Sequence, residues 1–141
     1  MEATLELVDG AMRLEGRNAR GQSTFFDADP AVGGHDSAAR PLEVFLQAMM
    51  ACTAMDVLSI LRKKRRTVTA FRMRAEAERE EQHPRVFRRI HLVYEVVSPD
   101  ATEQDVQRAI ELSQTTYCSA SIMVRRSGCT ITWEAHLRRP E

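Results

Sequence analysis

Residues 40–65 constrain this chain more than any other stretch. They run Arg-Pro-Leu-Glu-Val-Phe-Leu-Gln-Ala-Met-Met-Ala-Cys-Thr-Ala-Met-Asp-Val-Leu-Ser-Ile-Leu into a basic cluster, with no Gly or interior Pro. The pattern predicts one long helix. Pro41 suits the first helical position, where its missing N–H costs nothing. Glu43 falls in the first turn and the basic cluster in the last, both favourable to the helix dipole. Leu42, Phe45, Leu46, Met49, Thr53, Val57, Ile60 and Leu61 recur at helical steps. Ala48, Met50, Ala51, Ala54 and Met55 make much of the remaining circumference apolar, so other structure is expected to cover most of the helix. Cys52 sits in its middle.

A chain of 141 residues is expected to form a single domain, residues 1–141, large enough to bury a real core. Twenty basic and twenty acidic residues cancel, which argues against an electrostatic grip on nucleic acid or an anionic membrane surface. No apolar run is read as reaching the ~20 residues that span a bilayer. The acidic, alternating start Met-Glu-Ala-Thr-Leu-Glu-Leu has no signal-peptide core, and three cysteines do not make a secreted disulfide framework. The expected compartment is the cytosol, where a disulfide is more often transient or catalytic than structural.

The rest of the chain divides into short elements. Residues 3–8 alternate, Asp9-Gly10 reads as a two-residue hairpin turn, and residues 11–15 return as a second strand. Residues 16–21 form another turn, residues 23–28 a third strand, and residues 29–39 a surface loop. After the long helix, residues 67–79 and 86–97 read as two long one-sided strands, the second with Ile90, Leu92, Tyr94 and Val96 facing inward. Thr102 and Asp105 resemble a capping box, opening a helix with Val106, Ala109, Ile110 and Ser113 on its inner face. That helix loosens near Thr115. A short apolar helical piece covers residues 120–124, and residues 129–137 form a last strand. Three strands, helix, two strands, helix, strand argues for an α+β fold of antiparallel strands around a long central helix.

The chemistry centres on cysteine. Cys118 lies where the chain enters a short helix, a position whose backbone N–H groups stabilise a thiolate and lower its pKa. Cys129 alternates with Ile131, Trp133 and Ala135 and reads as core. Asp56, one turn after Cys52, would oppose ionisation of that thiol if it shared its face. The four histidines show no ligand spacing with the cysteines, so no metal site is expected.

Three segments carry a resemblance. Pro41-Leu42-Glu43 with Ala51-Cys52-Thr53-Ala54-Met55-Asp56-Val57 resembles the first cysteine helix of the OsmC/Ohr family, the osmotically inducible and organic-hydroperoxide-resistance proteins. His83-Pro84-Arg85-Val86-Phe87 is similar to that family's central hairpin, and Tyr117-Cys118-Ser119 to its second cysteine segment. The resemblance implies an intertwined homodimer and a thiol-dependent peroxidase that reduces organic hydroperoxides in oxidative-stress defence. Cys52 would attack the peroxide as thiolate and become a sulfenic acid. Cys118 would resolve it to a disulfide, and an external dithiol reductant, of the lipoyl type, would restore both thiols. No cofactor or metal is implied. The family also uses an arginine from the early strands and a glutamate near the start of the cysteine helix. Arg13, placed in the second strand, is the best positional match for the first, and Glu43 for the second. Glu43 departs from the pattern, because Leu42 occupies the position immediately after the proline. Nine residues separate Glu43 from Cys52, about 13 Å of helical rise. The alternative is a non-catalytic dimeric binding protein for an apolar or thiol-reactive small molecule.

Overall fold

Three strands open the chain: β1 (Ala3–Leu7), β2 (Leu14–Asn18) and β3 (Ser23–Phe26), paired antiparallel in that order. The long helix α1 (Pro41–Lys63) follows, then β4 (Ala70–Arg79), β5 (Phe87–Val97), α2 (Glu103–Leu112), α3 (Ser119–Arg126) and β6 (Thr130–Arg138). This computed structural model describes residues 1–141 and divides into two compact units, Met1–Gln47 and Ala48–Glu141.

In the first unit the β1–β2 connection is longer than the Asp9-Gly10 pair predicts. Leu7 pairs with Leu14, and Val8 N–H donates to Arg13 C=O at 2.9 Å. The reason is the Asp9 side chain: its Oδ1 accepts from the N–H groups of Ala11 and Arg13 and holds residues 8–13 in a wider loop. Residues 14–18 are therefore strand, where residues 16–18 were expected to turn. The loop after β3 is built around Asp27, which is buried. Its carboxylate accepts from the backbone N–H groups of Ala28, His35 and Ser37 and from the Ser37 hydroxyl. Gly34 passes so close to Ala28 that a Cβ would lie 2.0 Å from its carbonyl oxygen, so only glycine fits there.

In the second unit β4, β5 and β6 form one mixed sheet with β5 in the centre. β4 pairs antiparallel with β5, but β6 runs parallel to it, from Arg89↔Thr130 to Val97↔Arg138. The expectation of antiparallel strands fails for this last pair. The cause is the helical crossover: α2 and α3 carry the chain back to the end of the sheet at which β5 began, so β6 runs in the same direction. Ile90, Leu92, Tyr94 and Val96 are all completely buried, as the alternation predicts. Phe71 and Trp133 meet the Tyr94 ring edge-on at 6.5 and 6.4 Å between centroids. The capping box forms: Thr102 Oγ1 accepts from Asp105 N–H, and Asp105 Oδ2 accepts from Thr102 N–H. Val106, Ala109, Ile110 and Ser113 are the buried face of α2 and its continuation.

Helix α1 differs from its expectation in one respect. Met49, Thr53, Val57 and Leu61, four residues apart, form its buried stripe. The rest of its apolar circumference is only partly covered: Leu46, Met50, Leu58 and Ile60 are half-buried, and Leu42, Phe45 and Met55 are exposed. By length and composition the helix is also sufficient to cross a membrane, contrary to the reading that no such run exists.

Candidate functional site

Cys52 lies one residue before the buried Thr53 on α1 and is half-buried. Cys118 is completely buried at the N-cap of α3, in an extended conformation (φ −78°, ψ 94°) that ends one helical segment and starts the next. A π-helical turn over Ser113–Tyr117 joins α2 to this cap, the physical form of the loosening expected near Thr115. The structure brings the two cysteines together: Cys52 lies close enough to Cys118 to help raise its thiol pKa.

Cys118 Sγ meets Ser121 Oγ at 3.1 Å and accepts from Ser121 N–H at 3.4 Å. The helix-start contact is therefore present, but the net effect is opposite to the lowered pKa expected. Burial pushes the Cys118 thiol up, the Ser121 hydroxyl and N–H pull it down by less, and neighbouring Cys52 pushes it up again. Cys118 thus rests protonated at neutral pH. Cys129 is buried in the core as expected, and burial raises its thiol pKa as well.

Behind Cys118 stands a buried polar cluster that was not singled out in the sequence. Thr53 Oγ1 lies 2.7 Å from both Tyr94 Oη and Ser113 Oγ. Gln114 Nε2 lies 3.1 Å from both Thr53 Oγ1 and Tyr94 Oη and 3.2 Å from Ser121 Oγ, its two protons serving these three acceptors. Arg125 donates to the Gln114 backbone C=O at 2.7 Å and to Gln114 Oε1 at 2.9 Å. Ser113 Oγ donates to Asp56 Oδ2 at 2.9 Å. Asp56 therefore has a hydroxyl partner in this cluster. Tyr94, enclosed by the sheet and α1, has its phenol pushed up to about 12 by burial. The available signal was polar residues at inward positions: Thr53 in the buried stripe of α1, and Tyr94 in the alternation of β5. Both need partners when buried.

Glu43 and Arg13 lie in the first unit. Glu43 Oε1 accepts the Arg40 backbone N–H at 2.8 Å, a bond that caps the start of α1. Arg13 sits just before β2 rather than within it. Its Nη1 donates to Ser37 Oγ at 2.8 Å and to Ser37 C=O at 3.0 Å, and its guanidinium carbon lies 4.6 Å from the Phe25 ring centroid. Ser37 in turn donates to the buried Asp27, at 2.6 Å. Arg13 is thereby held in one orientation by a chain of hydrogen bonds from a buried carboxylate.

Comparison with known proteins gives this arrangement a lineage. A family model described as OsmC-like protein matches residues 34–134. Protein YhfA of Escherichia coli (strain K12) is 35% identical over 127 residues, covering 90% of this chain and 91% of its own. The crystal structure of a hypothetical protein from Aquifex aeolicus VF5 is similar with a TM-score of 0.84 and 26% identity, covering 99% of this chain and 97% of that one. An organic hydroperoxide resistance protein OsmC from Legionella pneumophila shares the fold at 11% identity and a TM-score of 0.66, over 95% of this chain and 94% of its own. With a family match spanning most of its length and a relative above 30% identity over nine-tenths of it, the chain belongs to the OsmC-like protein family.

Proposed function

We propose that this protein is a thiol-dependent peroxidase that reduces organic hydroperoxides through Cys52 and Cys118. The observation that carries the reading is the pairing itself: a half-exposed cysteine next to a buried one whose thiol pKa is pushed up. An attacking sulfur must meet substrate, whereas a resolving sulfur must meet only the first. In the first step Cys52 thiolate takes the distal peroxide oxygen, the O–O bond breaks, and the alcohol leaves after protonation. In the second, Cys118 sulfur bonds to Cys52 sulfur and the S–O bond breaks. The Cys118 proton leaves with the hydroxide as water. A dithiol reductant of the lipoyl type then exchanges with the disulfide and takes up the oxidising equivalents.

Arg13 fits the role of the cation that polarises the peroxide, because its guanidinium is pre-oriented by Ser37 and Asp27. Glu43 has a capping bond and serves the site less directly. The uncovered apolar side of α1 supports a homodimer, since one subunit leaves that surface to water. The family match spans the boundary between the two compact units, which supports reading residues 1–141 as one functional domain. A reducible cysteine pair with a dithiol partner suits the cytosol.

The test is mass mapping of thiols before and after one equivalent of an organic hydroperoxide. Wild type is expected to form a Cys52–Cys118 disulfide, and Cys118→Ser to stop at sulfenic acid on Cys52. Survival of all three thiols, or equal reaction of Cys129, overturns the reading and favours the non-catalytic binding protein.

A further inference from the structure

The buried cluster behind Cys118 has an internal direction. Arg125 donates to Gln114 Oε1, so the amide has one orientation and its Nε2 faces Ser121. Gln114 and Ser121 are both buried, at 2% and 0% exposure. A serine hydroxyl has one proton and two lone pairs. Gln114 fills one lone pair of Ser121 Oγ. What remains for Cys118, at 3.1 Å, is one lone pair and the rotatable proton. At rest the Cys118 S–H donates to that lone pair. When the sulfur loses its proton, the Ser121 hydroxyl turns and donates to it, joining the Ser121 N–H already aimed at the sulfur. Two donors then face the anion, with no solvent required.

We propose that Ser121 is a catalytic residue of disulfide formation, and that Gln114 and Arg125 are positioning residues that fix its hydroxyl for Cys118. The role rests on the peroxidase reading for the step it serves. In that step Cys52–SOH and Cys118–SH give the disulfide and water. The S–S bond forms, the S–O bond breaks, and the Cys118 proton passes to the departing oxygen. Cys118 sulfur is oxidised and Cys52 sulfur is reduced from the sulfenic level. As the proton departs, negative charge gathers on a sulfur excluded from water, and the Ser121 hydroxyl is the group placed to meet it.

Two measurements test this separately. The first is the pH titration of Cys118 followed by the carbon NMR shift of its Cβ in cysteine-labelled, peroxide-free protein. The second is the rate of disulfide closure after a rapid organic hydroperoxide pulse. Loss of a hydrogen bond to an ionised group predicts that Ser121→Ala titrates at higher pH and closes about tenfold more slowly. The rate of Cys52 oxidation is expected to stay unchanged. Ser121→Thr, which keeps the hydroxyl, restores both properties. Arg125→Met is expected to give a smaller change in the same direction, because Gln114 Oε1 loses its fixing partner while Thr53 and Tyr94 still hold Nε2 in part. Ser121→Ala that titrates and closes like wild type overturns the proposal. Should peroxide leave Cys52 untouched, the peroxidase reading fails, while an unchanged or shifted Cys118 titration still decides whether Ser121 governs this thiol.

Discussion

Asp27 is the most heavily hydrogen-bonded carboxylate in the first unit, and its bonds have a pH consequence. The Ser37 hydroxyl leads the donors that hold its carboxyl far below the usual range, joined by the N–H groups of Ser37, Ala28 and His35. A depressed carboxyl stabilises the folded chain above its unfolded pKa, and that contribution is lost as pH falls through the folded value. Asp27→Asn keeps the shape but turns one acceptor into a donor facing N–H groups. Its melting temperature is expected to lie below wild type at neutral pH. The gap closes only in strong acid, well below the ordinary carboxylate value of 3.8. Thermal melts of both proteins across that range check it. On the peroxidase reading, Asp27→Asn is also expected to slow peroxide reduction through Ser37 and Arg13, whereas Arg13→Lys is expected to slow it and leave the melt almost unchanged. At this scale the sequence pointed to the cysteines and was poor about their surroundings. The structure places Cys52 beside Cys118 and buries Cys129 as its alternation predicts. The direction of the Cys118 shift was not legible, because a helix start is visible in sequence and depth of burial is not. Gln114 and Arg125 carried no periodic or motif signal; their roles depend on a π-helical turn that no spacing rule anticipates.

Elements were legible where a repeating side-chain pattern met a buried face. Strand β5, the inner face of α2 and the capping box at Thr102 all formed as their residues predict. Thr102→Ala removes the acceptor for Asp105 N–H and is expected to cost about 1 kcal/mol in chemical denaturation. Leu61→Ala, in the fully buried end of the α1 stripe, is expected to cost about 3 kcal/mol by the same measurement. The misread elements share a cause. The β1–β2 turn was assigned from Asp9-Gly10 alone, but the Asp9 carboxylate reaches two N–H groups further along and sets the loop length. β6 was expected to be antiparallel from the element order, three strands, helix, two strands, helix, strand. Its true partner is decided by the length of the α2–α3 crossover, which local pattern does not report.

At the scale of the whole molecule, the unshielded side of α1 is the feature that one chain leaves unresolved. Met55 on α1 is 70% exposed, and Tyr117 and Met123, flanking Cys118 and within α3, are 60% and 63% exposed. A second copy of the chain is expected to cover such a surface, and Met55→Glu is then expected to shift sedimentation from dimer toward monomer. A monomeric wild type contradicts the dimer without touching the fold.

The parallel closure of the second sheet also sets the order in which the chain can complete itself. Strand β5 is almost entirely apolar on its inner face, and its pairing with β6 joins residues 41 positions apart, as in His91 with Thr132. During synthesis one edge of β5 waits, unpaired, while the crossover is made. Open strand edges invite pairing with other chains. A chain that ends before residue 130 leaves that edge of β5 open, and such a truncation is expected to aggregate where the full chain does not, as light scattering of the two would show.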